Sequence, residues 1–146
     1  MSVSVQQADF DVGMETSALS AGDDGAGAVA SFVGLVRGED IHAMTLEHYP
    51  GMTEKALAEI VAQAHTRWQL RRVRVIHRVG RLLPGDRIVF VGVSSSHRGD
   101  AFAACEFIMD YLKTRAPFWK KEDTAAGGRW VDARESDDSA ASRWEK

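Results

Sequence analysis

The chain has one cysteine, Cys105, among 146 residues, so neither an internal disulfide framework nor a thiolate zinc site can be built from it. Its five histidines show no HExxH or comparable ligand spacing, and no metal is expected. No Gly-rich phosphate loop of the P-loop or dinucleotide type follows an expected strand, which leaves ATP and NAD use without support and no cofactor expected. No stretch approaches the ~20 apolar residues of a membrane span. The opening "MSVSVQQADF" lacks the basic and apolar regions of a signal peptide. Excess positive charge is absent too: the formal net charge is -3, which argues against a nucleic-acid binder. What is present, 45% hydrophobic and 27% charged residues, fits one cytoplasmic domain over residues 1–146 that buries a real core.

The pattern along the chain predicts alternating strands and helices. Residues 4–12 read as a first strand, and "SALSAGDDGAG" as a short helix or a turn-rich loop. "GAVASFVGLVR" has the β-branched and aromatic content of a strand ending at Arg37, and "AMTLEHY" that of a second strand stopped by Pro50 and Gly51. Leu57, Ile60, Val61, Ala64 and Trp68 recur at helical spacing and predict a helix over 53–68, with Thr53 as its cap. "RVRVIHRVG" alternates Val73, Val75, His77 and Val79 on one side, "LLPGD" supplies a turn, and "RIVFVGVSSS" reads as a central strand. A second helix over about 100–113 carries Ala101, Ala104, Cys105, Ile108 and Leu112, and Pro117 should end it near Lys113. "PFWKKE" and "GRWVDA" follow as extended segments around a Gly127-Gly128 turn, and residues 135–146 as a polar tail. This order argues for an α+β fold with a mostly antiparallel or mixed sheet.

Chemistry concentrates in three places: Arg37 at a strand end, "SSSHRGD" at a strand-to-helix junction, and "KTRAPFWKKE" after that helix. At the junction, free backbone N–H groups and the helix dipole favour an anion that Arg98 would also grip; alternatively the serines cap the helix and His97 is a surface residue. In "KTRAPFWKKE", Lys113 taken alone is an ordinary dipole-complementing lysine, and any one of these lysines taken alone is solvated charge. Arg115, Lys120 and Lys121 crowd the same loop beside Phe118 and Trp119, and grouped cations repel unless an anion joins them. Cys105 sits on the apolar stripe as a small core residue, so sulfur chemistry would need sulfur from elsewhere. The four tryptophans read individually as packing residues.

In this order, "FVGLVR", "LEHYPGMTEKAL", "VIHRVGRLLPGD", "VFVGVSSSHR" and "FIMDYLKTRAPFWKKE" closely resemble the large (catalytic) subunits of molybdopterin synthase, the MoaE family, over roughly residues 25–135. The resemblance implies an α/β-hammerhead fold and a sulfurtransferase of molybdenum cofactor biosynthesis. Such enzymes install the two dithiolene sulfurs of molybdopterin on cyclic pyranopterin monophosphate. The sulfur comes from the C-terminal Gly-Gly thiocarboxylate of a small ubiquitin-like subunit, whose tail threads into the large subunit. Two large subunits form a central homodimer within a heterotetramer, and nothing ubiquitin-like occurs within these residues, so the partner is another chain.

By motif position, Lys113 matches the family's essential lysine near the thiocarboxylate, and Lys120 its second important lysine. Arg37, His97 and Arg98 match residues near the substrate phosphate, and Arg134 in "DARES" one that reaches a neighbouring subunit's pocket. Arg115 and Pro117 are expected to shape the loop. The stretch Gly38 to Ala43 is shorter than in many relatives, and the two ends match less clearly. Two further classes are kept for comparison: a scaffold that binds a ubiquitin-like tail without catalysis, and a single-strand nucleic-acid module using Lys113, Arg115, Phe118, Trp119 and Lys120 as a basic aromatic strip.

Overall fold

Two four-stranded sheets organise the chain in a computed structural model that describes residues 2–131 and 135–145. The elements run β1 (Val3–Gln6), α1 (Val12–Ala18), β2 (Ala28–Leu35), β3 (Ala43–His48), α2 (Met52–Arg67), β4 (Val73–Arg78), β5 (Gly80–Leu82), β6 (Arg87–Ser95), α3 (Arg98–Arg115), β7 (Phe118–Thr124), β8 (Gly127–Val131) and α4 (Glu135–Ser142), closed by a 3₁₀ turn at Arg143–Glu145. The first sheet has the order β1-β4-β6-β2, with β1 and β4 parallel and the other pairs antiparallel. The second, β5-β3-β7-β8, is antiparallel throughout. The architecture is α+β, as the element order predicts.

Helices α2 and α3 cover one face of the first sheet. Leu57, Ile60, Val61 and Ala64 of α2 meet Ala101, Ala104, Phe107, Ile108 and Leu112 of α3 over Val75, Val91 and Val93. Phe10 and Leu19 flank α1 and cover the other face at Ile76 and Phe90. A third cluster of Val36, Met44, Leu46 and Leu82, with Ile88 against it, fills the corner between the sheets.

Several boundaries differ from the sequence pattern. β1 ends at Gln6 rather than running to residue 12, because Asp11 accepts a hydrogen bond from Met14 N and starts α1 there. Thr53 lies inside α2 rather than capping it; the helix begins after Gly51, whose φ of 86° suits only glycine, and the Glu54 carboxylate accepts from Gly51 N at 2.9 Å. α3 begins at Arg98 and continues past Lys113 to Arg115, since Pro117 restricts only Ala116, which is extended. The polar tail is helical: α4 and the turn after it return along α3, where Trp144 packs edge-on to Phe107 and Trp68 and donates to Asp110 at 2.7 Å.

Candidate active site

Strand alternation divides the "KTRAPFWKKE" cluster. From Phe118 onward the chain is β7, so Phe118, Lys120 and Glu122 share one face while Trp119 and Lys121 share the other. Lys120 and Glu122 line a cleft of about 470 Å³ with Lys113, which the last turn of α3 delivers from a second direction. Arg37, one residue beyond Val36 at the exit of β2, enters from a third. The cleft also takes Glu39, Asp40 and Ile41 from the short loop before β3, Met44 of β3, His77 of β4 and Arg129 of β8. Asp40 holds a φ of 61°, a left-handed conformation that aspartate tolerates better than most residues.

The other two cations of the decapeptide lie elsewhere. Arg115 pairs with Glu145 and lies over the Tyr111 ring at 4.4 Å, and the Lys121 ammonium lies 6.0 Å from the Trp130 ring. A basic aromatic strip on one surface is therefore not formed. Phe118 faces inward and stacks on His77, with ring centroids 3.8 Å apart. Trp68 and Trp144 pack as expected, whereas Trp119 and Trp130 are exposed, a departure from the reading of all four as packing residues.

One buried hydroxyl fixes the approach to this loop. Thr53 Oγ1 accepts from Tyr49 N and donates to Pro117 O, both at 2.9 Å, tying the start of α2 to the entry of β7.

The junction "SSSHRGD" lies at the far end of α3. Fifteen residue steps separate Arg98 from Lys113, or about 22 Å along a helix, so one chain does not bring His97 and Arg98 into the cleft. Nor do the serines cap the helix by bonding its first-turn amides. Ser94 Oγ accepts from Arg72 N, Ser95 Oγ donates to Gln69 O, and Ser96 Oγ donates to Gly25 O. His97 occupies the cap position without a side-chain cap bond. Arg134 lies outside the described residues.

Electrostatics in the cleft are mixed rather than uniformly basic. Arg37, Lys113, Lys120 and Arg129 face Glu39, Asp40 and Glu122, and Glu122 pairs with Arg129 at 3.1 Å. Removed from the cleft, the Cys105 thiol is buried and pushed up to about 11, chiefly by desolvation, as expected for an inert core cysteine. No group of three or more His, Cys, Asp or Glu side chains able to hold a metal occurs among the described residues.

His77, Glu122 and Arg129 were not singled out by the sequence pattern. Period-2 alternation from Lys120 would have found Glu122. His77 alternates with Val73 and Val75, which made it look like core, and it is in fact buried at 6% exposure. Burial, aided by the nearby Lys113 charge, holds the imidazole down at about 4, against an ordinary 6.5. The unfolded chain therefore takes up this proton more readily than the folded one. Stability should be full above about pH 6.5 and fall as pH drops toward 4, by on the order of 3 kcal/mol from this group. Urea unfolding of the native chain and of His77→Phe at pH 7 and pH 4.5 tests this: the variant should lose less stability across the interval.

Comparison with known proteins identifies the family. The family described as "MoaE protein" matches residues 5–115. A molybdopterin synthase catalytic subunit from Pseudomonas aeruginosa is 61% identical over 150 residues, covering all of both chains. The solved structure of a molybdopterin biosynthesis MoaE protein from Burkholderia ambifaria superposes with a TM-score of 0.87 at 59% identity, covering 99% of this chain and 98% of that one. A complex of subunits 1 and 2 of molybdopterin-converting factor from Helicobacter pylori shares the fold at a TM-score of 0.75 and 20% identity, with 92% of each chain covered. With Lys113 and Lys120 gathered in one cleft and identity near 60% across the full length, the chain belongs to the MoaE family, the catalytic subunits of the enzyme molybdopterin synthase in molybdenum cofactor biosynthesis.

Proposed function

We propose that this chain catalyses sulfur transfer from the C-terminal thiocarboxylate of a small ubiquitin-like subunit to cyclic pyranopterin monophosphate, in the cleft between α3, β7 and the exit of β2. The observation that carries this reading is the convergence of Lys113, Lys120 and Arg37 on one cleft from three separate elements. An anionic tail and a phosphate-bearing substrate both need cations, and cations on rigid elements are already oriented before charge develops. Lys113 orients and polarises the thiocarboxylate adduct. Lys120 assists proton transfer or stabilises the negative charge that develops as the cyclic phosphate opens, while Arg37 holds the phosphate. The chain acts as a single cytoplasmic domain of the α/β-hammerhead type.

A homodimer within a heterotetramer accommodates the remaining residues. Because His97 and Arg98 lie about 22 Å from Lys113 along α3, their contribution to the phosphate comes from a second copy, and Arg134 is assigned to the same crossing. The Helicobacter pylori complex supports a small partner by analogy of fold.

Mixing the native chain with a thiocarboxylated small subunit and cyclic pyranopterin monophosphate should yield the dithiolene product. No turnover with a competent partner and substrate would sink the catalytic reading in favour of a scaffold. The shared site is tested by mixing Lys113→Ala with Arg98→Ala: two weakly active variants should together recover about a quarter of native turnover after random re-pairing of a two-fold dimer. No recovery despite subunit exchange would place each site within one chain.

A further inference from the structure

Helix α3 ends without the bond that closes α2. In α2, Trp68 N donates to Ala64 O at 3.1 Å, whereas Ala116 is extended and its amide makes no capping bond. Pro117 has no N–H, so the Lys113 carbonyl lacks the donor that a continuing helix would supply four residues on. Phe118 N, the next amide, donates to Ala116 O instead. Buried side chains hold α3 from its inner side through Leu112, but Lys113 is exposed and belongs to the unclosed turn. The end of a helix without a cap is where opening is easiest.

A distant segment holds this turn from outside. Trp144 Nε1 donates to Asp110 Oδ2 at 2.7 Å, Arg143 donates to the same oxygen at 2.9 Å, and Arg115 pairs with Glu145. These contacts fall three residues before Lys113 and two after it, so they span its turn. They are not equal in weight. Arg143, Arg115 and Glu145 are about half exposed, and ion pairs of that kind contribute little each. The Asp110 side chain is only 16% exposed, and the Trp144 ring stands edge-on to Phe107 and Trp68 with centroids 5.5 and 5.6 Å away. Trp144 is therefore the anchor: the two rings fix its plane, and its plane aims the N–H at Asp110. Beyond the turn, Thr53 Oγ1 donates to Pro117 O at 2.9 Å and secures the loop. A turn held on both sides suits a lysine that must meet a reacting group from one direction, since misplacement by about 1 Å can cost on the order of a hundredfold in rate.

We propose that the Arg143–Glu145 turn is a clamp that positions Lys113: Trp144, seated on Phe107 and Trp68 and bonded to Asp110, keeps the last turn of α3 closed where no backbone cap does, and so holds the lysine's direction into the cleft. The catalytic part of this inference rests on the function proposed above; the clamp itself does not. It is read first without turnover, by amide hydrogen exchange of the native chain and of a chain ending at Ser142. The amides of Lys113, Thr114 and Arg115, which donate back into the helix, should exchange about tenfold faster in the shortened chain, while those of residues 102–105 keep their native rates. Unchanged rates in the last turn, or an equal acceleration along the whole of α3, overturn the proposal. Trp144→Phe keeps a ring against Phe107 but has no N–H for Asp110, and should show the same local acceleration at about threefold. If the shortened chain does not fold, this variant decides by the same criteria.

Kinetics provide the second arm. Shortening the chain should lower kcat about tenfold with KM for the pyranopterin and affinity for the small subunit unchanged, the pattern of a group misplaced only where the reaction occurs. In a Lys113→Ala background the same shortening should add no further loss, because no lysine is left to aim. An unchanged kcat in the native background, or an equal further loss in both backgrounds, overturns the positioning role. Failure of the native chain itself to make product would instead count against the proposed function, leaving hydrogen exchange to decide the clamp.

Discussion

Replacing Lys113 by alanine is expected to lower dithiolene formation by about 10²- to 10³-fold while the small subunit still binds. The magnitude is that of removing one preorganised charge donor from a site where charge develops. Position supports an effect at the upper end of this range. Lys113 is in the last turn of an 18-residue helix whose inner face is in the core, so its backbone is held before substrate arrives. Arg37, Lys120 and Arg129 also line the cleft, but they enter from other elements and cannot occupy the same point. The Lys113 side chain is not part of the core, so the variant should melt with the native chain. Single-turnover product formation with a saturating thiocarboxylated partner, beside a binding titration, separates chemistry from docking. Equal turnover by both proteins would remove Lys113 from the mechanism. Loss of partner binding in parallel with turnover would make it a docking residue.

The largest expected effect on stability comes from Phe107→Ala, which should cost about 3–5 kcal/mol. Phe107 is fully buried, and its ring meets Trp68 at 5.4 Å, Tyr111 at 4.4 Å and Trp144 at 5.5 Å, with the Arg67 guanidinium 4.7 Å from its centroid. Three rigid rings from α2, α3 and the terminal turn cannot collapse together into the space left behind, so most of the cavity should persist. For a chain of this size the loss corresponds to a melting temperature lower by about 10 °C or more. Such a cost is a large share of the usual net stability of a domain. Thermal and urea unfolding check it, and a change below about 1 kcal/mol would mean that the aromatic cluster repacks. Trp144 should report the same event, because its fluorescence depends on this packing.

The aromatic cluster also shows where sequence pattern stops being informative. Phe107 and Tyr111 lie four residues apart on one helix, a spacing readable in one dimension. Trp144 joins them from a segment whose polar composition suggested a tail, because a single aromatic among charged residues carries no period of its own. It packs there because Trp144 Nε1 and Arg143 both bond to Asp110 on α3, contacts made across 33 or 34 residues of sequence. Similarly, Pro117 announces the end of α3, yet the helix runs on to Arg115 rather than ending near Lys113, because the restriction falls on Ala116, the residue before proline, and not on the three before that.

Sequence by itself determined the α+β class, the two long helices and the family, and it nominated Lys113, Lys120 and Arg37 as candidates for the site, since apolar periodicity, turn residues and long distinctive motifs are local properties of a chain. Tertiary structure alone decided which of the clustered cations face one cleft, that His97 and Arg98 lie a helix length away, and that a histidine with the pattern of a core residue opens onto the lysines. The physical reason is that a strand sends neighbouring side chains to opposite faces and a helix separates its ends by its full length. Adjacency in the chain is therefore a poor measure of adjacency in a site until the sheets and helices have packed.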